Sequence, residues 1–252
     1  MRWAKHEPET PYLADLLSGA PVCLHVGASD GRHSYVMTKV APKAKIHAFE
    51  PSAFAFEVLK TCMKWHGIDD RVIPIHAAVS DHAGEMFLVT PRKTSGRMGR
   101  AYAFVSESGS TGEGPVRPDL QDQGAEVQPT PVTTIDDYCD AHGLARVDFI
   151  RMDIEGAEQK ALAGAMKVLD RDRPHVLIEI HPAMLEGRFG GSAEAVVELF
   201  RSRGYRMFAV NGDRLEERTV VEDGLPWKDY FFIHPSRAAR LPDGVFKARM
   251  AA

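Results

Sequence analysis

Cysteine is scarce in this chain. Its three, Cys23, Cys62 and Cys139, are scattered, with neither metal-ligand spacing nor the framework of a secreted disulfide scaffold. Cys23 falls inside an apolar run and reads as a small core residue. A reducing, cytoplasmic compartment is the expectation. A basic excess is also missing. Lys and Arg number 31 against 35 Asp and Glu, a net charge of −4, so nothing advertises a nucleic-acid polyanion. The basic residues Arg92, Lys93, Arg97 and Arg100 read as surface solvation. No apolar run approaches the ~20 residues of a membrane helix, and residues 1–10 are charged and lack the apolar core of a signal peptide. Neither nucleic acid nor membrane is therefore an expected partner.

What is present is ordinary for a globular chain of 252 residues: 44% apolar and 26% charged. That length suits one large domain with embellishments. The expected layout is a single domain over 1–252, an N-terminal helical extension over 1–20 and a polar insertion near 91–131.

The most informative stretch is Val22-Cys23-Leu24-His25-Val26-Gly27-Ala28-Ser29-Asp30-Gly31. A short apolar run stops at a glycine, and a second glycine precedes a helical pattern. This is strand, tight turn, helix, in which a helix N-terminus and close backbone approach can hold a ligand. The turn is Gly-x-x-x-Gly. Ser29 stands where a dinucleotide fingerprint needs its middle glycine, and no lysine followed by Ser or Thr closes a phosphate loop. Glu50, nineteen residues after Gly31, ends the next apolar run, where doubly wound folds place a ribose-hydroxyl acceptor. Glycine turn and acid together fit a nucleoside whose charged tail is an amino acid, as in S-adenosylmethionine.

The rest of the chain alternates. Leu13, Leu16 and Leu17 predict a short helix face ending at Gly19. A helix after Ser52 is predicted to pack through Phe54, Val58, Leu59, Cys62 and Trp65, with Gly67 as its stop. A third strand is expected over 72–79, near a sheet edge because of Pro74, and another over 84–89. Residues 91–131 carry many glycines and serines. They read either as a functional loop over the substrate site or as a surface insertion. Thr134 caps a predicted helix, followed by a strand over 147–152, one helix over 156–169 and a strand over 174–180. Ser192 caps a helix stopped by Gly204. Asn211-Gly212 signals a hairpin after a strand over 205–210, and the last strand is expected over 230–233. Such alternation implies an α/β fold, a mostly parallel sheet with helices on both faces.

Two further clusters could carry chemistry. In Arg151-Met152-Asp153-Ile154-Glu155-Gly156-Ala157-Glu158 three acids gather where a buried strand meets a helix. Asp153 then points to the same crevice as Gly27 and Glu50, while Glu155 and Glu158 are site residues or helix-terminus charges. In Glu179-Ile180-His181-Pro182, Glu179 is polar in an apolar strand. His181 sits at the rim as a candidate base or a structural residue.

These pieces, with Phe49-Glu50-Pro51, Ala77-Ala78-Val79-Ser80-Asp81 and Thr133-Thr134-Ile135-Asp136, resemble in order the FkbM family of S-adenosylmethionine-dependent methyltransferases, over roughly residues 20–210. The resemblance implies a class I methyltransferase fold: a Rossmann-like three-layer sandwich whose sheet has seven strands, the last antiparallel. It implies that Gly27, Ala28, Ser29, Asp30 and Gly31 line the methionine part of the cofactor, with Ser34 near its carboxylate. Glu50-Pro51 would hold the ribose, with Ser52, Ala77, Ala78 and Val79 near the adenine. Asp153 would face the reacting centre, with His181 or Asp153 as base. Family members mostly methylate hydroxyls of sugars and polyketide-type products, so a small-molecule or glycan acceptor is expected. His25 stands where the family usually has an aspartate; either it takes a polar role or Asp30 and Asp153 replace that acid. No metal ligand set is required by the sequence, although a divalent cation near Asp153 is compatible with it. The oligomeric state is open. Rival readings are a nicotinamide-dependent oxidoreductase and a non-catalytic binding module with the same fold.

Overall fold

A computed structural model describes residues 8–91, 103–109, 124–211, 214–222 and 228–238. The apolar runs read from the sequence form its main sheet. β1 (Val22–Val26), β2 (Lys45–Phe49) and β3 (Val72–Ile75) lie side by side in parallel. β1 pairs on its other flank with β8 (Phe149–Met152), and β8 pairs with β9 (His175–Glu179), again in parallel. β12 (Asp229–Ile233) is antiparallel to β9 and to β10 (Arg206–Asn211). β11 (Arg214–Arg218) closes that end of the sheet. Pro74 does lie in the strand at the opposite edge, where its missing N–H costs no ladder bond.

Strand order reverses between β1 and β8, since the chain runs outward to β3 before returning to β8. The crevice outside the C-terminal ends of those two strands is where open α/β sheets bind ligands. Helices cover both faces. On one, α1 (Thr10–Leu16), α2 (Arg32–Val40) and α3 (Ala53–His66) bury Leu13, Leu16, Met37, Leu59 and Met63 against Cys23, Phe149 and Phe231. On the other, α4 (Ile135–Ala141), α5 (Glu158–Ala163), α6 (Met166–Asp172) and α8 (Ala193–Arg201) bury Ile135, Leu162, Leu169 and Phe200 against Leu24, Ile150 and Val176. Thr134 and Ser192 cap their helices as expected, accepting N–H bonds from Asp137 and Ala195.

Several expectations are corrected. The main sheet has eight strands, not seven, because β11 adds an edge strand to the seven of a class I sheet. Residues 72–79 are two strands. β4 (Ala78–Val79) leaves the main sheet and joins β7 (Ala125–Thr133), β5 (Gly84–Pro91) and β6 (Phe104–Ser106) in a second, four-stranded sheet. The 91–131 stretch is therefore not one loop: β6 and most of β7 lie in it, while 92–102 and 110–123 lie outside the described residues. β7 carries Pro129 and Pro131 opposite Phe87 and Glu85. Without N–H groups, prolines fit a strand only at alternate positions where that donor would point away from the partner. The helix expected over 156–169 breaks into α5 and α6 at Gly164. A Cβ there would lie 2.2 Å from the Ser80 carbonyl oxygen. α7 (Pro182–Phe189) was not expected. In α3 only Leu59 and Met63 are buried; Trp65 is 85% exposed. Asn211 pairs with Arg214 across the β10–β11 hairpin, and Gly212 lies outside the described residues.

Candidate active site

The glycine turn after β1 is shaped by its neighbours. Gly27 has φ 83°, and a Cβ on it would lie 2.0 Å from the Asp153 carbonyl oxygen. No other residue lets β1 and β8 end so close together. Gly31, also at φ 83°, is the N-cap of α2, and Leu59 fills the space a side chain would need. Between them Ser29 is left-handed, φ 50°. Its N–H is donated to Glu50 Oε2 at 2.7 Å, and the Ser52 N–H to Glu50 Oε1 at 2.8 Å. Asp30 Oδ1 accepts the Arg32 N–H at 3.1 Å. Glu50 thus ties the first βα turn to the second. Burial pushes its carboxyl up to about 7, against the pull of the Ser52 and Ser29 N–H groups.

A cavity of about 520 Å³ opens over this turn. Gly27, Ala28, Ser29 and Asp30 line one part, Glu50, Pro51 and Ser52 the next, and Ala77, Ala78 and Val79 the far wall. Asp153 and Glu155 line it from the end of β8, and Leu88, Thr90, Phe104 and Val105 from the second sheet. The Pro51 carbonyl accepts a hydrogen bond from the Thr130 hydroxyl at 3.1 Å, which fixes that sheet to the Glu50 turn. Of the residues expected here, Gly31, Ser34 and His181 are not in the lining. Ser34 is fully buried, and its Oγ lies 2.7 Å from His25 Nδ1; its hydroxyl is spent inside the fold.

His25 therefore has a polar role, but an internal one. It is fully buried, and burial together with Arg151 pushes it down to about 3, so it is neutral. Its Nε2 has no hydrogen-bond partner among the described residues. Arg151, one strand over and in register with it, is 3% exposed. The guanidinium donates to His33 Nε2 at 3.0 Å and to Asp229 Oδ1 at 3.4 Å, and it lies 3.8 Å from Asp153 Oδ2. An arginine cannot accept, so His33 carries its proton on Nδ1. Burial and the adjacent arginine hold His33 neutral too.

Asp153, Glu179 and His181 interact side by side. Burial and the neighbouring Glu179 carboxylate raise Asp153 well above the usual range despite Arg151. Burial works on Glu179 in the same direction but is outweighed by hydrogen bonds from His181 and Asp153, which hold it at about 2. His181 Nε2 is 2.8 Å from Glu179 Oε1, and that bond raises the imidazole above its ordinary value. Sequence reading passed over Arg151, the buried cation beside Asp153. The signal was there: a charge inside an apolar strand, the criterion that singled out Glu179. Arg188, whose guanidinium lies 4.3 Å over the Phe104 ring, gave no such signal, because α7 itself was not expected. Among the described residues no group of three His, Cys, Asp or Glu side chains is arranged to hold a metal ion, and no helix is long and apolar enough to cross a membrane.

Strand order 3-2-1-8-9-12-10, with β12 antiparallel and a ligand crevice at β1/β8, defines a class I methyltransferase fold. The chain belongs to the FkbM methyltransferase family, whose domain model matches residues 25–207. It is similar to the 2-O-methyltransferase NoeI of Sinorhizobium fredii, 31% identical over 162 residues, 61% of this chain and 60% of that protein. It is also similar to the 31-O-demethyl-FK506 methyltransferase FkbM of Streptomyces tacrolimicus, 29% identical over 203 residues, 75% and 74% of the two chains. Among solved structures, a methyltransferase FkbM from Methylobacillus flagellatus KT superposes with a TM-score of 0.51 at 15% identity, over 90% of this chain and 50% of that one. A putative caffeoyl-CoA O-methyltransferase from Staphylococcus aureus gives 0.51 at 7% identity, over 91% and 83%. The match thus spans 60% of NoeI and half of the M. flagellatus chain.

Proposed function

We propose that this chain transfers a methyl group from S-adenosylmethionine to a hydroxyl of a small-molecule or glycan acceptor of sugar or polyketide type. The observation that carries the cofactor is Glu50. Its carboxylate directly follows β2, is oriented by two backbone N–H groups, and lines the cavity beside the glycine turn. Each of its oxygens has acceptor capacity left for a ribose hydroxyl. The cavity is of a size that suits a nucleoside-bearing ligand. Gly27, Ala28, Ser29 and Asp30 would hold the methionine part. Pro51 would join Glu50 at the ribose, and Ser52, Ala77, Ala78 and Val79 would lie at the adenine. A nicotinamide dinucleotide fits less well: the Ser29 N–H, which a pyrophosphate would claim, is already given to Glu50.

When bound, S-adenosylmethionine supplies an electrophilic sulfonium methyl. The protein's task is then to orient the acceptor oxygen, exclude water and take up one proton. Leu88, Phe104 and Val105 give the cavity an apolar wall on the side of the second sheet. Asp153, beside the Arg151 guanidinium and tied to Glu179, would face the acceptor side. The hydroxyl acceptor follows the names of the two curated relatives, which act on a 2-O position and on demethyl-FK506.

The test is transfer of tritium from methyl-labelled S-adenosylmethionine to a panel of methyl glycosides and macrolactone alcohols. Labelled ether product is the expected result. A chain that binds nicotinamide dinucleotide and not S-adenosylhomocysteine would sink this reading, and cofactor binding without transfer to any acceptor would favour the binding module.

A further inference from the structure

Glu155 has a backbone that its own chemistry does not explain. Its φ is 57°, left-handed in a residue with a long side chain, a conformation that persists only where the surroundings impose it. Three contacts impose it here. Glu158 Oε1 accepts the N–H groups of Ile154 and Gly156, both at 3.2 Å, so the chain wraps around one carboxylate oxygen. The Arg188 guanidinium donates to the Glu155 carbonyl. Gly156, at φ 107°, lies against the backbone of α7, where a Cβ would come within 2.8 Å of the Met184 carbonyl oxygen. These contacts hold Glu155 in the cavity wall, two residues beyond Asp153. Arg188 also covers Phe104, so this is the part of the wall where the second sheet meets the crevice.

The Glu155 carboxylate is underused. Its Oε2 is buried without a hydrogen-bond partner among the described residues. The charged groups around it come from three elements: Arg188 on α7 and His181 at that helix's N-cap, Glu179 on β9 and Glu158 on α5. Burial is the largest influence. Arg188 and His181 oppose it, the two glutamates reinforce it, and the carboxyl is pushed up to about 7. Asp153 is tied to the Glu179 carboxylate, and His181 is bonded to Glu179 through Nε2 and lies outside the cavity lining.

Resting on the methyl-transfer reading above, we propose that Glu155 is the general base of the reaction. The acceptor O–H proton passes to the Glu155 carboxylate as the methyl carbon leaves sulfur and bonds to oxygen. The products are the methyl ether, the neutral thioether and a protonated Glu155, which returns its proton to solvent. A base that ionises near the working pH suits this role.

The test compares Glu155→Gln and Glu155→Gly with wild type, using whichever acceptor of the glycoside and macrolactone panel wild type methylates. Turnover is expected to fall on the order of a hundredfold or more, with S-adenosylhomocysteine affinity within about threefold. Wild-type kcat should rise with pH through about 7, and Glu155→Gln should lose that limb. Glycine accepts the left-handed backbone, so Glu155→Gly should melt no lower than wild type while losing turnover; a residue needed only for structure would lower both. Turnover within threefold of wild type in either variant overturns the assignment. If wild type binds no S-adenosylhomocysteine and methylates nothing, the methyl-transfer reading itself fails. If it binds but methylates no panel member, ¹³C titration of the Glu155 carboxyl decides: a midpoint near 7 supports the base, and one at about 4 overturns it.

Discussion

Glu50 joins two turns, its own and that of Ser29, 21 residues before it. Both its oxygens accept backbone N–H bonds, so Glu50→Ala removes the ribose partner and unfastens Ser29 and Ser52 together. Hydrogen bonds to a charged group contribute about 1.5–3 kcal/mol each. S-adenosylhomocysteine affinity should therefore fall at least tenfold in calorimetry, and an unchanged affinity would remove Glu50 from the ribose. Its ionisation gives a second handle. The carboxyl sits at about 7, and the ionised form is the better acceptor for hydroxyls. Affinity should then rise as pH goes from 6 to 8, and binding at pH 6.5 should release a proton. Affinity independent of pH across that range would contradict this.

At the scale of elements, Asp136 shows how a local signal acquires a distant use. It lies in the first turn of α4, yet its two oxygens accept the N–H groups of Lys167 and Val168 at the start of α6. Asp136→Ala should cost about 1 kcal/mol, the ordinary effect of losing an N-cap, read as a lower denaturation midpoint with cofactor affinity unchanged. A midpoint equal to wild type would show the cap to be idle. The same contrast explains what the sequence disclosed. β1, the Thr134 and Ser192 caps, the Gly67 stop and the edge position of Pro74 rest on residues close in the chain, and all were legible. The second sheet was not. β7 pairs with β5 across more than thirty residues, and its prolines disguise it as a loop. The break at Gly164 depends on the Ser80 carbonyl, which no periodicity reveals. Of the cavity lining, Gly27, Glu50 and Asp153 were visible from spacing at strand ends. The burial of Ser34 against His25, and the engagement of His181 by Glu179, depend on packing between elements.

For the whole molecule, buried titratable groups set opposing pH dependences. His25 and His33 are held neutral by burial and Arg151. Their contribution to stability is present above about 6.5 and is lost as pH falls below it. Glu50 and Glu155 have folded values of about 7 against an ordinary 4.5. They bind protons more readily folded than unfolded, so stability is gained as pH falls from 7 toward 4.5, by up to about 1.4 kcal/mol per pH unit for each group. The pair Glu50→Gln/Glu155→Gln removes that gain. Relative to wild type, the double variant should lose Tm as pH drops from 6.5 to 5. Parallel Tm curves would show that the two carboxyls do not titrate this way in the fold.

The central claim is that the crevice between β1 and β8 holds S-adenosylmethionine. The most direct measurement is a crystal structure of the chain with S-adenosylhomocysteine. The ribose hydroxyls should lie on the Glu50 carboxylate, the homocysteine end over residues 27–30, and the sulfur facing Asp153 and Glu155. A ligand bound elsewhere, or one in this cavity whose ribose does not touch Glu50, would contradict it.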